Sequence, residues 1–565
     1  MKTFLDKPNK IDFFILSLFV IFITFTPYYL SGRINIFELG IYLPGIQAIL
    51  DGHVPYRDFF YLRGPFELYL PAIAFAIFGS NVAVLNTFFY FGTVLTLILC
   101  VLLASYMLRM RAILYMLVLV LVARTFPRVV FTFWGGMRFA IGILSLYFCV
   151  LFFQSKRIRW LFAAGVTAGG ALFTSADVGF CSFCACFGSL IILFLSTSLK
   201  KERMTVVIYA VYFILSAMVI ALPYLLYLYV NHAFLPYVDS VISVVSGLQD
   251  VFSIHFSSDT PRTFGEAVAA MINPANHNFK YMTPAYLYII FAVFLFYRYR
   301  YADDKDRILY MSVIPVFCYG LAMYILSFRN LEGAQFEMAL QPEKILLFFL
   351  LEEIYFLLKE KNVVVLVHKK IKNRLSLAHF ILCIIMISSI CYSIARYNHR
   401  FFMFKYLKYK ILEKDTSVLN PMIEEKTVKL RMPRVKGLVV PLWQAEDIRR
   451  LTNFIHKNTT IEESVLMLDE LSLYNFIVNR PFVDRFPMVI FTWFSDRWHR
   501  EFMSEIRKHP PKIVVKEAHP GAWFEGGYLK VTRNKEKYEE LLSFIKQHYI
   551  LVKTTPSLLI YSLRK

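Results

Sequence analysis

The stretch Asn35-Ile-Phe-Glu38-Leu-Gly-Ile-Tyr42 is followed by Leu50-Asp51-Gly52-His53-Val-Pro55-Tyr56-Arg57-Asp58-Phe59 and then by Leu62-Arg63-Gly64-Pro65. Here an apolar chain gathers its chemistry. Glu38, Tyr42, Gly45 and Ile49 recur at helical spacing, which predicts a short helix along an interface. Arg57 and Arg63 follow in the same loop, and a guanidinium can grip a phosphate through two parallel hydrogen bonds. A carboxylate base beside cationic clamps suits transfer from a phosphate-linked donor. The base takes the proton of an acceptor hydroxyl while the cations steady the leaving phosphate. Asp58 is a rival base in this loop. Plainer readings stand beside these: Glu38 as a solvated carboxylate, the arginines as lipid-headgroup anchors, Asp58 as their ion-pair partner.

Outward from this loop the chain reads as membrane. Of 565 residues 58% are hydrophobic and 18% charged, against about 45–50% and about 25% in soluble domains. Mean hydropathy is +0.53. These values exclude a disordered chain and a fully soluble enzyme. Apolar runs near 12–30, 84–108, 112–127, 137–154, 160–174, 178–198, 205–230, 282–297, 308–327, 338–358 and 377–395 predict about eleven transmembrane helices. The first is too long for a cleaved signal and leads into further spans, so it reads as retained.

With the N-terminus in the cytoplasm, the inside turns hold Arg109 and Arg111, then Lys156, Arg157 and Arg159, then Lys200, Lys201 and Arg203. Arg298, Arg300, Lys305 and Arg307 follow, and finally Lys359 to Arg374. The outside connections, 31–83, 128–136, 175–177, 231–281 and 328–337, carry little charge. The excess of 61 basic over 40 acidic residues is therefore in large part an orientation signal, and no nucleic-acid partner is expected. Arg124, Arg128 and Arg138 near the outer face suggest a polar cavity there.

Beyond Tyr397 the pattern turns mixed and water-compatible, with 29 Lys and Arg against 19 Asp and Glu. Apolar β-type runs at Val465–Asp469, Lys512–Lys516, Ile550–Thr554 and Leu558–Leu563 alternate with helical stretches at Asp447–His456, Arg497–Lys508 and Lys535–His548. This predicts a small α/β domain after a polar link at 414–440. The expected division is a transmembrane module over 1–396, with 31–83 as its first outer loop, and an extracytoplasmic region over 397–565. All eight cysteines lie in apolar stretches. Cys181-x-x-Cys184-x-Cys186 reads as packing rather than zinc, and no metal or cofactor is expected. The chain has no Gly-rich Lys-Ser/Thr loop, so a lipid-anchored donor suits it better than a soluble nucleotide.

The order acidic residue, Tyr four later, Leu-Asp-Gly-x-x-Pro-Tyr-Arg-Asp-Phe, Gly-Pro and an apolar run to Phe78-Gly79 resembles the first outer loop of GT-C glycosyltransferases. It is most similar to bacterial relatives of the protein O-mannosyltransferase and lipid A aminoarabinose transferase group. Leu172-Phe-Thr174-Ser-Ala-Asp177-Val-Gly179 resembles a Thr-Lys-x-x-Gly segment of that group. Arg329-Asn-Leu-Glu332-Gly-Ala-Gln335 resembles an Arg-x-Asp/Glu-x-x-His segment. The resemblance implies a GT-C-like polytopic α-helical membrane protein that moves a sugar from a polyprenyl-phosphate donor to a hydroxyl of a lipid, glycan or protein. Inversion at the anomeric carbon would follow from a single displacement, and the resemblance implies a location in the bacterial inner membrane.

In that scheme Glu38 stands in the place of the catalytic Asp. Arg63 lies near the phosphate-binding cation, with Arg57 and Arg329 as further candidates. Tyr42, Asp177, Glu332 and Gln335 are secondary candidates. Two departures are visible: the usual Asp-Glu pair is Glu38-Leu39, and Gln335 replaces a His. The alternative function is a transporter or flippase for lipid-linked sugars or polysaccharide. The sequence has no paired halves of the kind such proteins show.

Overall fold

The computed structural model describes residues 5–24, 34–61, 63–125, 137–197, 199–253, 263–276, 278–327, 339–360, 364–365, 375–401, 426–489, 494–520, 524–525 and 527–564. Its helices up to residue 401 are α1 (Lys10–Thr24), α2 (Ile36–Leu50), α3 (Phe66–Phe78), α4 (Val82–Met107), α5 (Arg111–Thr125), α6 (Met137–Ser155), α7 (Ile158–Thr174) and α8 (Ala176–Ser196). They continue with α9 (Lys200–Val230), α10 (Phe234–Ser253), α11 (Phe264–Ile272), α12 (Phe279–Tyr301), α13 (Asp304–Leu326), α14 (Gln341–Glu360) and α15 (Leu377–Phe401). Each apolar run read as a span overlaps one of these helices over its described residues. Among the described residues, seven are long and apolar enough to cross a bilayer, in α4, α6, α8, α9, α12, α13 and α15. The chain is a multi-pass membrane protein. Helices α1, α5 and α7 are shorter, and α14 carries Glu352 and Glu353 just past its middle.

The tail is α/β, as its alternating pattern predicts. Four strands lie in the order Val465–Met467, Ile513–Glu517, Leu558–Leu563, Tyr549–Thr554. The first pair is parallel and the others antiparallel. Around them are α16 (Leu442–Asn458), α17 (Leu473–Val478), α18 (Asp496–Lys508) and α19 (Thr532–His548). The end of the supposed link is instead an antiparallel hairpin, Thr427–Lys429 against Val439–Pro441. Gly437, with φ at +94°, supplies the left-handed residue of its connection.

The chain forms two compact units. One comprises Met1–Thr26, Phe89–Ala221 and Asp259–Leu419; the other comprises Pro27–Phe88, Leu222–Ser258 and Asn420–Lys565. In the first, Gly165 and Gly169 let α7 lie directly on α9. A Cβ at these positions would stand 2.6 Å from the carbonyl oxygen of Phe213 and 2.4 Å from that of Ala217, the small-residue contact that membrane helices favour. The buried Glu352 and Glu353 of α14 are also used here. Glu352, fully buried, accepts hydrogen bonds from the backbone N–H groups of Arg109 (2.8 Å) and Met110 (2.7 Å) and so caps α5. Glu353 accepts from the Tyr310 hydroxyl at 2.8 Å and pairs with Arg109 and with Arg298 at 3.3 Å. Buried charges persist only when paired in this way.

In the second unit a core of Leu466, Phe486, Phe494, Trp498, Phe502 and Val514 fills the space beside the sheet and takes in Phe60 of the first loop. The Phe60 ring meets Trp498 edge-on at 4.7 Å, and its N–H donates to the Arg485 carbonyl at 2.7 Å. Helix α2 also rests on α17: a Cβ on Gly40 would stand 2.8 Å from the Leu473 nitrogen. The first loop is thus held by the C-terminal domain.

Candidate functional site

Helix α2 begins where the Asn35 side chain accepts a hydrogen bond from the Glu38 N–H at 3.0 Å, an N-cap that fixes the first turn. Glu38 sits in that turn, where the helix dipole favours a carboxylate. Tyr42 follows one turn later on the same face. Glu38 is 6% exposed and Tyr42 is fully buried.

Arg63 enters just before α3 and completes the group. Its Nη2 lies 3.2 Å from the Glu38 carboxylate, and its Nη1 donates to the Tyr42 hydroxyl. The same Nη1 stands 3.9 Å from Glu67, which also accepts from the Tyr42 hydroxyl at 3.3 Å. The guanidinium carbon lies 5.0 Å from the centre of the Tyr42 ring. Burial alone would lower the Arg63 pKa, but Tyr42, Glu38 and Glu67 together outweigh it and keep the guanidinium charged. One cation thus orients two buried carboxylates, Glu38 and Glu67. When both are ionised the group carries one net negative charge.

The other pair of the loop has different partners. Arg57 grips Asp58 through two bonds, Nε to Oδ1 at 2.7 Å and Nη2 to Oδ2 at 2.8 Å, and donates to the Asn231 carbonyl at 3.1 Å. Asp58 also accepts from the Val54 N–H at 2.7 Å. The hydrogen bonds from Arg57, chief among several causes, hold its carboxyl below the usual range. Between the two pairs, Tyr56 takes a left-handed conformation at φ +71° and donates from its hydroxyl to the Arg63 carbonyl at 3.1 Å.

The structure therefore brings Glu38, Tyr42 and Arg63 together and pairs Arg57 with Asp58. Asp177 belongs to the other unit, at the start of α8, where it accepts from the Val178 N–H at 2.8 Å and from the Ser175 hydroxyl. Arg329, Glu332 and Gln335 lie outside the described residues, as does Arg128. Arg138 is buried at the start of α6, its guanidinium carbon 4.9 Å from the centre of the Phe139 ring.

Two carboxyls escaped the sequence reading. Glu67 was legible in principle, being four residues after Arg63 and an isolated charge in the run Phe66-Glu67-Leu-Tyr69. Glu470 was not, because nothing near it in sequence marks it. It lines a narrow cleft with Phe37, Asp469, Phe524 and Tyr528. Its Oε1 is buried with no hydrogen-bond partner. Burial first, then the charges of Glu517, Asp469 and Glu38, push its pKa up to about 9. It carries a proton at neutral pH, within electrostatic reach of Glu38.

No protein-family model and no curated protein matches the sequence. Among solved structures, the chain is similar to ArnT from Cupriavidus metallidurans bound to undecaprenyl phosphate. The identity is 11%, 98% of this chain and 97% of that chain are covered, and the TM-score is 0.50. Against the apo state of that protein the values are 12%, 98%, 97% and 0.49. Against the archaeal oligosaccharyltransferase AglB from Archaeoglobus fulgidus, in complex with an inhibitory peptide and a dolichol-phosphate, they are 11%, 90%, 69% and 0.47. The first of these likenesses runs over nearly the whole of both chains, and from it the chain has a GT-C-like fold.

Proposed function

We propose that the chain is an integral-membrane glycosyltransferase of the outer face of the bacterial inner membrane. It takes a sugar from a polyprenyl-phosphate carrier and passes it to a hydroxyl of a lipid, glycan or protein. The observation that carries this reading is the buried Glu38 carboxylate 3.2 Å from the Arg63 guanidinium, in the loop the resemblance marks as catalytic. The GT-C-like fold supports it, and the undecaprenyl phosphate bound to ArnT supports the class of donor.

In this reading Glu38 accepts the proton of the acceptor hydroxyl as its oxygen attacks the anomeric carbon. The bond from that carbon to the phosphate oxygen breaks, and polyprenyl phosphate leaves with the electron pair. Arg63 meets the charge that develops on the phosphate, exchanging part of its contact with Glu67 for it. A single displacement of this kind inverts the anomeric configuration. Glu67 and Tyr42 hold the guanidinium in place, and Arg57 with Asp58 fixes the loop. Arg329 is assigned to the same phosphate on the resemblance alone. The test is sugar transfer by purified protein given a polyprenyl-phosphate sugar and a membrane-lipid or glycan acceptor. Product is expected without any gradient across a membrane, whereas movement of the donor with no product would contradict the assignment.

A further inference from the structure

Helix α10 is built inside out for a surface helix of a soluble domain. An amphipathic helix ordinarily turns its apolar stripe to the core and its polar residues to water. Among the described side chains of α10, the buried ones are Ser240 and Ser243. The exposed ones include Leu235 (76%), Val238 (36%), Val241 (42%), Ile242 (61%) and Val245 (58%). At about 100° per residue these five fall within an arc of about 120°, one continuous apolar stripe facing away from the protein.

The opposite side of α10 is fastened to the C-terminal domain. Asp239 accepts from the Trp498 indole at 2.9 Å and pairs with Arg497, and Val244 packs against the core that contains Trp498. What the stripe meets follows from where the helix starts. Helix α9 is long and apolar enough to span the bilayer and ends at Val230. Only Asn231, His232 and Ala233 separate it from α10. The turn is sharp, with His232 at φ +56° and its N–H bonded to the Tyr229 carbonyl at 3.1 Å. A helix that begins three residues beyond a membrane span begins at the membrane surface.

We propose that α10 lies in the bilayer interface with its Leu235–Val245 stripe among the lipid acyl chains, and that its other face clamps the C-terminal domain to the membrane. The helix contains no Lys or Arg, so apolar burial and not attraction to anionic headgroups holds it there. The inference does not depend on the catalytic reading.

The test places an environment-sensitive fluorophore at Ile242→Cys, and separately at Leu235→Cys. Each uses the full chain with its exposed cysteines, Cys184, Cys383 and Cys391, replaced by alanine. The protein is held in nanodiscs of phosphatidylcholine and phosphatidylglycerol with brominated acyl chains. Lys535→Cys, on an exposed face of α19, is the reference. The expected result is blue-shifted emission at both stripe positions and bromine quenching several-fold stronger than at the reference, unchanged by added salt. Water-like, unquenched emission would overturn the proposal. So would a blue shift without bromine quenching, which would mean that protein and not lipid covers the stripe. Either position suffices if the other variant fails to fold.

Discussion

Arg63 is the residue on which the site turns. Removing it leaves Glu38 and Glu67 buried without their shared cation, and breaking a buried pair in this way costs about 3–5 kcal/mol. Arg63→Ala is therefore expected to lower the melting temperature of the purified protein as well as to stop transfer. Arg63→Lys keeps the charge but not the fork that reaches Glu38 and Tyr42 together, and should recover stability more than activity. Glu470 makes a pH-dependent prediction. Its folded pKa, about 9, stands above the ordinary 4.5, so the folded state holds this proton more tightly than the unfolded chain. The stability it contributes is complete below about pH 4.5 and is lost as pH rises toward 9. Glu470→Gln, which has no proton to lose, should melt progressively higher relative to the unaltered protein between pH 5 and pH 9. Parallel melting curves would refute this. At this scale the sequence made Glu38 and Tyr42 legible through their spacing and Arg63 through its place before Gly-Pro. The partnership of Arg63 with Glu67 shows in sequence only as a spacing of four, because Arg63 precedes α3 and no helical register ties the two side chains. Glu470 is more than 400 positions from Glu38, so only the folded chain relates them.

Among the elements, hydropathy located helices well and what they rest against poorly. Each apolar run became a helix because a bilayer demands that backbone bonds close within the segment. The outer connection 231–281 contains α10 and α11; α11, with 9 residues, is too short for a span, and Asp239 and Asp250 interrupt the apolar character of α10. The support of α2 was equally hidden. Gly40 reads as a neutral break in an apolar helix, and its use is visible only where α17 passes against it. Gly40→Val places carbon where the Leu473 backbone stands. Such overpacking costs about 1–3 kcal/mol, and here it also displaces the turn that carries Glu38. The expected outcome is a lowered melting temperature and transfer reduced further than the stability loss explains. Normal activity at full stability would show that α2 tolerates movement and that its seat on α17 does not position the base.

For the molecule as a whole, the proposed orientation accounts for much of the charge of +21, the tail holding +10 of it. With basic turns held in the cytoplasm, alkaline phosphatase fused after Lys565 should be active, and a fusion after Arg203 should not. The reverse pattern would invert the orientation and remove Glu38 from the outer face. What hydropathy did not reveal is that the first loop, the segment around α10 and the C-terminal domain form one unit, since that association lies in packed side chains such as Phe60 on Trp498 and not in any local pattern. We propose that this unit presents a catalytic carboxylate at Glu38. The most direct test is Glu38→Gln, a change that keeps shape and removes the base, assayed with a polyprenyl-phosphate sugar beside the unaltered protein. Transfer falling to background, with a melting temperature lowered far less than by Arg63→Ala because Glu67 still pairs the guanidinium, is the predicted result; transfer at the unaltered rate would contradict the proposal.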